Sequence, residues 1–199
     1  MKKIFFAFML LFLVQLPARA EDFLAKKIAK LGQPAPDFEL QDLGGNKIKL
    51  SANQGKAVMI HFWSAHCPFV MRYEERLNKI AMDYRDKGVT VFGIASNINE
   101  TPDQIKQTTA ERKLIYALLL DPDHQVADNY GAITTPHVFM INKEGILVYE
   151  GSVDDQGWSE KNPVTKNYAR EALDAVLAGR PVPNPETKTF GCTIKRNQS

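Results

Sequence analysis

A nearly continuous apolar segment that leads into a Cys-Pro dipeptide constrains the fold of this chain more than any other feature. AVMIHFW, residues 57–63, has the β-branched and aromatic composition of a central strand buried on both faces. Pro68 directly follows Cys67 and predicts the first position of a helix, where proline's missing N–H costs nothing. Apolar residues then recur at helical spacing as far as Tyr84, and Gly88 ends the helix. Cys67 is therefore expected where a buried strand passes into a helix.

Predicted strands and helices alternate along the rest of the chain. Gly44-Gly45-Asn46 joins two short strands into an N-terminal hairpin. VTVFGIAS and ALLLD are further buried strands, and each precedes a predicted helix. HVFMIN and ILVYEG form an antiparallel hairpin, with a last helix over residues 165–178. This order predicts an α/β fold, a three-layer sandwich with a central mixed sheet and an N-terminal β-hairpin extension.

The first residues have the layout of a secretory signal peptide. Lys2 and Lys3 precede an apolar run at residues 4–14, and small residues allow cleavage after Ala20. A retained membrane anchor is the alternative, but the run is shorter than the about 20 residues that span a bilayer. Export predicts a periplasmic or secreted protein, in a compartment where disulfides persist.

Three segments follow from this division. We predict a signal peptide at residues 1–20, one folded domain at residues 21–180 and a proline-containing tail at residues 181–199. Cleavage removes three of the 25 basic residues and leaves 22 against 23 acidic ones. A nearly neutral domain gives no support for nucleic acid or an anionic membrane as a partner. Stable membrane insertion after cleavage is not expected.

The chain contains two cysteines, Cys67 and Cys192, and both remain after cleavage. At a helix start, Cys67 would face unpaired N–H groups and the positive end of the helix dipole, which favour thiolate over thiol. His66 would act in the same direction when protonated. The alternative is an inert, buried structural cysteine. A C-x-x-C motif would continue with a second cysteine where Val70 stands, so any disulfide partner must come from elsewhere in the chain.

Two distant motifs resemble the thioredoxin superfamily. They are FWSAHCPF after the buried strand and Thr135-Pro136 before a later one; the opening GQPAPDFELQDLGGNKIKL is also similar. The resemblance covers roughly residues 31–178 and is closest to the exported thioredoxin-like and peroxiredoxin-like (AhpC/TSA, redoxin) branch. It implies a cis Pro136 that packs against the active-site sulfur, and a Thr135 backbone free to dock a substrate strand.

The resemblance also implies a thiol oxidoreductase with Cys67 as its reactive thiolate. Pro68 and the helix start would activate this thiolate, while Trp63, Ser64 and His66 would shape the site. No organic cofactor is implied, because sulfur itself carries the electrons. The expected partners are a thiol or disulfide protein or a small-thiol reductant. Cys192, at the FGC of the tail, is either the thiol that resolves Cys67 or half of a purely structural bridge.

Two alternatives remain open. A peroxiredoxin-like enzyme would oxidise Cys67 with a hydroperoxide; Ser64 fits that signature, but Ile60 stands where proline is usual. The arginine that activates the peroxide in such an enzyme could here be only Arg72 or Arg112. A non-catalytic copper-binding protein could use Cys67 with two histidines, His66 and His137, but it lacks the usual second nearby thiolate, and we predict no metal site.

Overall fold

The structure is a computed structural model that describes residues 29–196, so the predicted signal peptide lies outside the described residues. The strands are β1 (Glu39–Asp42), β2 (Lys47–Lys49), β3 (Ala57–Trp63), β4 (Val89–Ala95), β5 (Ala117–Leu120), β6 (Thr134–Thr135), β7 (Val138–Ile141), β8 (Leu147–Gly151) and β9 (Cys192–Thr193). The α-helices are α1 (Pro68–Arg85), α2 (Pro102–Glu111), α3 (Gln125–Tyr130) and α4 (Tyr168–Leu177), and a 3-10 helix spans Leu50–Asn53. Within these residues no helix has the length and hydrophobicity needed to cross a bilayer.

Seven strands form one mixed sheet in the order β2-β1-β5-β4-β3-β7-β8. The central strands β3, β4 and β5 are parallel, and the remaining pairs are antiparallel. The predicted mixed sheet, its N-terminal hairpin and its closing hairpin are confirmed. The carboxyl ends of β3 and β4 lie side by side, because Trp63 pairs with Ala95. Parallel neighbours therefore bring the segments that follow them to the same edge of the sheet.

Strand β3 lies at the centre of the sheet, and all seven of its residues are buried. Its side chains alternate between two cores, as strand geometry requires. Met59 and Trp63 face the core covered by α1 and α4, whereas Ile60 and Phe62 face the core that includes α3. This arrangement confirms the predicted three layers.

The segment after α4 departs most from the sequence expectation. Up to residue 196 it contains no helix and no strand of the central sheet, but β9 adds to β6 as a separate two-stranded sheet. Thr134 pairs with Thr193, and Thr135 pairs with Cys192. The sequence pattern did not predict this small sheet, since two residues are too few to show an alternating pattern.

Candidate active site

Cys67 occupies the junction that the sequence predicts. It is the N-cap residue of α1, in an extended conformation, and Pro68 is the first residue of the helix. Only 2% of Cys67 is exposed, and it belongs to the same core as Trp63 and Val70. Val70 is itself fully buried. The position of the missing second cysteine is therefore filled by a core side chain.

Two groups contact the Cys67 sulfur. Cys67 Sγ donates a hydrogen bond to the carbonyl oxygen of Thr135 at 3.0 Å. Its distance to Cys192 Sγ is 2.7 Å, and both residues are free cysteines. The Thr135-Pro136 peptide bond is cis, as the resemblance implied. The two cysteines, 125 positions apart in the chain, therefore meet beside this cis bond.

Contacts on both sides of Cys192 hold the tail in place. On its N-terminal side, the Thr187 amide donates to Glu150 O at 3.0 Å, and the Thr187 hydroxyl bonds Tyr149 Oη at 2.8 Å. On its C-terminal side, Ile194 is buried and Arg196 pairs with Asp128 at 2.8 Å. Cys192 is thus fixed in position from two directions and not carried on a loose end.

Gly191 allows β9 to approach β6 closely. A Cβ added there would lie 2.1 Å from the Thr135 carbonyl oxygen, which is backbone and cannot rotate away. Any larger residue would push β9 away from the site. The preceding Phe190 packs edge-to-face on Trp158, which packs in the same way on Phe69. These three rings form an aromatic row whose ends, Phe69 and Phe190, lie two positions along the chain from Cys67 and Cys192 respectively.

The surroundings of Cys192 disfavour its thiolate. The pKa of Cys192 is raised to about 11, first by burial and then by the hydrogen bond with Cys67 and any negative charge on Cys67. The backbone N–H of Phe69, at the start of α1, faces the Cys192 sulfur and acts in the opposite direction. A negative charge on the Cys67 sulfur therefore disfavours deprotonation of Cys192.

A buried carboxylate organises the loop before Cys67. Glu100 is 7% exposed and accepts hydrogen bonds from the Ser64 hydroxyl and from the His66 amide, the latter at 3.3 Å. Its Oε1 also lies 3.3 Å from His66 Nδ1. The sequence reasoning missed Glu100. The available signal was its place after β4, since Ser64 follows the neighbouring parallel strand β3.

The remaining predicted residues lie around this centre. Trp63 is fully buried in the same core as Cys67. Pro136 directly follows Thr135, whose carbonyl oxygen accepts the hydrogen bond from the Cys67 sulfur. His137 is buried and stacks on Phe139 at 4.3 Å, and burial lowers the pKa of His137 to about 4. Between residues 29 and 196 there is no group of three or more His, Cys, Asp or Glu arranged to hold a metal ion.

The two arginines considered for peroxide activation donate elsewhere. Arg72 donates to the carbonyls of Gly157 and Trp158, at 2.5 Å and 3.3 Å. Arg112 pairs with Glu74 at 2.8 Å and donates to the Ala65 carbonyl at 2.6 Å. Arg112 therefore supports the loop before Cys67, and Arg72 holds the segment that carries Trp158.

The site also differs from the sequence expectation at Thr135. Its backbone was expected to be free for a substrate strand, but it pairs with Cys192 of the same chain. The physical reason is the glycine at position 191, which lets the tail come within bonding distance of this edge.

The sequence relationships agree with this geometry. Residues 31–150 match the sequence model of the AhpC/TSA family. The chain belongs to the AhpC/TSA family. The thioredoxin-superfamily resemblance inferred from Cys67-Pro68 and Thr135-Pro136 is thereby confirmed.

Relatives of this AhpC/TSA family chain include named redox proteins. It is 30% identical, over 136 residues, to the thiol-disulfide oxidoreductase ResA of Halalkalibacterium halodurans, covering 67% of this chain and 76% of ResA. An uncharacterized conserved protein of Geobacillus kaustophilus superposes with a TM-score of 0.80 at 35% identity, covering 86% and 95% of the two chains. The thioredoxin domain of a Bacteroides vulgatus thiol-disulfide oxidoreductase gives 0.56 at 27% identity, covering 61% and 87%. The fold is that of thioredoxin.

Proposed function

We propose that this protein is an exported thiol–disulfide oxidoreductase in which Cys67 and Cys192 form a reversible dithiol–disulfide pair. The observation that carries the proposal is the 2.7 Å separation of the two sulfurs beside the cis Thr135-Pro136 bond. A disulfide needs its sulfurs about 2.05 Å apart, so a small local shift forms the bond. Membership of the AhpC/TSA family and the names of the ResA relatives support the same activity. Export rests on the signal-peptide pattern of residues 1–20.

In this proposal the reaction moves two electrons in two exchange steps. The Cys67 thiolate attacks one sulfur of a substrate disulfide, whose S–S bond breaks and releases the first substrate thiol after protonation. Cys192 then attacks the Cys67 sulfur of the mixed disulfide and releases the second substrate thiol. The substrate is reduced, and the Cys67–Cys192 disulfide is formed. An external thiol supplies the electrons that restore the dithiol.

Each neighbouring group has a defined role in this cycle. The N-terminus of α1 stabilises the Cys67 thiolate, and Pro68 places the start of that helix next to the sulfur. Glu100, Ser64 and His66 hold the loop that presents Cys67. Thr135 and Pro136 shape the surface for substrate docking. Because β9 covers Cys67 and occupies the Thr135 edge, β9 must lift before a protein substrate docks there.

Disulfide exchange is favoured over peroxidase activity by the contacts of the polar residues. The Ser64 hydroxyl donates to Glu100. Arg72 and Arg112 donate to backbone carbonyls and to Glu74. These groups stabilise loops and are not directed at the Cys67 sulfur, where a peroxide would have to be activated. The structure gives the copper-binding alternative the second nearby thiol that the sequence pattern lacked, since Cys192 Sγ lies 2.7 Å from Cys67 Sγ. Within residues 29–196, however, no third His, Cys, Asp or Glu joins them in a group that could hold a metal ion.

The proposal predicts a clear preference between two oxidised substrates. Reduced protein, residues 21–199, is mixed under anaerobic conditions with excess of either a strained protein disulfide or hydrogen peroxide. We expect the rate constant for disulfide exchange to exceed that for peroxide by about tenfold or more, measured by acid quench, alkylation and intact mass. The Cys67→Ser/Cys192→Ser double variant gives the background. Rapid loss of peroxide without disulfide exchange would instead identify a peroxidase.

A further inference from the structure

The two sulfurs of the pair differ in how an external molecule can reach them. Cys67 is 2% exposed and lies beneath β9, whereas Cys192 is partly exposed. The Thr135 edge, along which an extended protein segment would pair, is occupied by Cys192 itself. Once a disulfide joins Cys67 to Cys192, β9 is also held covalently over this edge. A partner of the oxidised form must therefore approach without pairing with Thr135.

A groove lies at the start of α1, near the two cysteines. It has a volume of about 430 Å³ and is lined by Pro68, Phe69, Arg72, Trp158, Ser159, Glu160 and Lys161. Pro68, the residue after Cys67, lines the groove, and so does Trp158, whose ring packs 5.7 Å from that of Phe190, two residues before Cys192. These two residues connect the groove to the site. This volume suits a small molecule, within the usual range of about 300–1,000 Å³ for ligand pockets.

The lining of the groove indicates the chemistry of its ligand. Phe69 and Trp158 provide an aromatic wall, with ring centroids 5.2 Å apart. Arg72 and Lys161 bring two positive charges, against one negative charge from Glu160. The Lys161 side chain belongs to an exposed residue and can turn toward a ligand. A compact apolar stem that carries a carboxylate matches these groups.

We propose that the reductant of the oxidised pair is a low-molecular-weight thiol with a carboxylate group, which enters this groove and attacks Cys192. This inference rests on the proposed function and names the partner of its reductive half. It also assigns different tasks to the two sulfurs. Cys192 receives the external thiol, and Cys67 is the leaving group.

The chemical step is balanced by two equivalents of the small thiol. The first, as thiolate, attacks Cys192 Sγ; a Cys192–thiol mixed disulfide forms, the Cys67–Cys192 bond breaks, and its electron pair remains on Cys67. The Cys67 thiolate is then held at the N-terminus of α1, which favours it as the leaving group. The second thiolate attacks the small-molecule sulfur of the mixed disulfide and releases Cys192, which takes a proton. The small thiol is oxidised to its disulfide, and the protein is reduced.

Trapping the mixed disulfide tests which sulfur is attacked. Oxidised protein, residues 21–199, is mixed with 3-mercaptopropionate, quenched in acid within the first turnover, alkylated and mapped by peptide mass. The expected adduct is on the peptide that contains Cys192, with Cys67 alkylated. An adduct on Cys67 would overturn the inference. If no thiol opens the pair at all, the proposed function fails as well, so the two failures are distinguishable.

Changing the charge of the groove tests the nature of the ligand. Lys161→Gln should slow reduction by 3-mercaptopropionate about threefold more than reduction by the neutral 2-mercaptoethanol, at low ionic strength. Lys166→Gln is the matched control, because Lys166 is also exposed but does not line the groove. Equal effects on both thiols, or no effect on either, would contradict the charge assignment. A folded dithiol protein that reduces the pair faster than 3-mercaptopropionate at equal thiol concentration would contradict the small-molecule assignment.

Discussion

Cys67→Ser and Cys192→Ser are each expected to abolish turnover, but to stop the reaction at different steps. The chain contains no third cysteine, so neither variant can close an intramolecular disulfide. Cys192→Ser retains the thiol at the start of α1 and should accumulate a mixed disulfide with its substrate on Cys67. Cys67→Ser retains only Cys192. Burial, the largest cause of the raised pKa of Cys192, persists in this variant and keeps the thiol largely protonated at neutral pH. We expect a loss of about a hundredfold or more in steady-state disulfide reduction for both variants.

Intact mass after incubation with the substrate disulfide distinguishes these outcomes. The Cys192→Ser protein should carry one substrate thiol per chain, while the Cys67→Ser protein should remain largely unmodified. Circular dichroism and the midpoint of denaturant unfolding show whether each variant is folded. If Cys192→Ser turns over at the wild-type rate, Cys192 does not resolve Cys67 and the pair is not the working unit of the enzyme.

Gly191→Ala is expected to separate the two cysteines without removing either sulfur. The added Cβ would lie 2.1 Å from the Thr135 carbonyl oxygen and 3.2 Å from the Pro136 nitrogen, so β9 has to shift away from β6. Overpacking of this kind typically lowers the free energy of unfolding by about 1–3 kcal/mol. Because Cys192 is the next residue, its sulfur should move away from Cys67. Disulfide formation after one equivalent of oxidant should slow about tenfold or more, as measured by quenched intact mass.

Gly44→Ala is a suitable control for this substitution. Gly44 lies in the hairpin turn before β2, and the nearest atoms to a Cβ there would be side-chain atoms of Asn46 and Asp42, at 3.1 Å and 3.2 Å, with no backbone atom among them. We expect it to change the free energy of unfolding by less than about 1 kcal/mol and to leave disulfide formation unchanged. Equal effects of the two alanine substitutions would show that the close approach at Gly191 is not what positions Cys192.

Local pattern was sufficient to predict the part of the site that Cys67 belongs to. The apolar run of β3, the proline at the start of α1 and the helical spacing after it are short-range signals, and each depends on neighbouring residues. They place Cys67 at the N-cap of α1, where the structure has it. The Thr135-Pro136 motif was interpretable only through its resemblance to a known family.

The position of Cys192 could not be predicted in the same way. It lies 125 residues from Cys67 in the chain. Because β9 contains only two residues, no periodic pattern in the sequence predicts that β9 pairs with β6. The tail is held by tertiary contacts, such as buried Ile194 and the Arg196–Asp128 ion pair, that appear only once the domain has folded. Glu100 was missed for a related reason, since its link to Ser64 depends on the pairing of β3 with β4.

The thermodynamics of the Cys67–Cys192 pair separate a redox centre from a structural bridge. In the chain-entropy model a permanent bridge that closes so long a loop could stabilise the protein by on the order of 4 kcal/mol. Such structural bridges typically have reduction potentials below about −300 mV, and thus resist reduction by small thiols. A working pair must be opened and closed under the conditions of its compartment, so its potential is expected to be higher.

The reduction potential of the pair is therefore the most direct test of the account. Protein equilibrated at a series of thiol-to-disulfide ratios is quenched with acid and alkylated, and the Cys67–Cys192 linked peptide is quantified by mass. We predict a single two-electron transition, with a midpoint above about −300 mV and full recovery of the dithiol. A midpoint well below that value, or the absence of a Cys67–Cys192 peptide at any ratio, would contradict the assignment of these two cysteines as the redox centre.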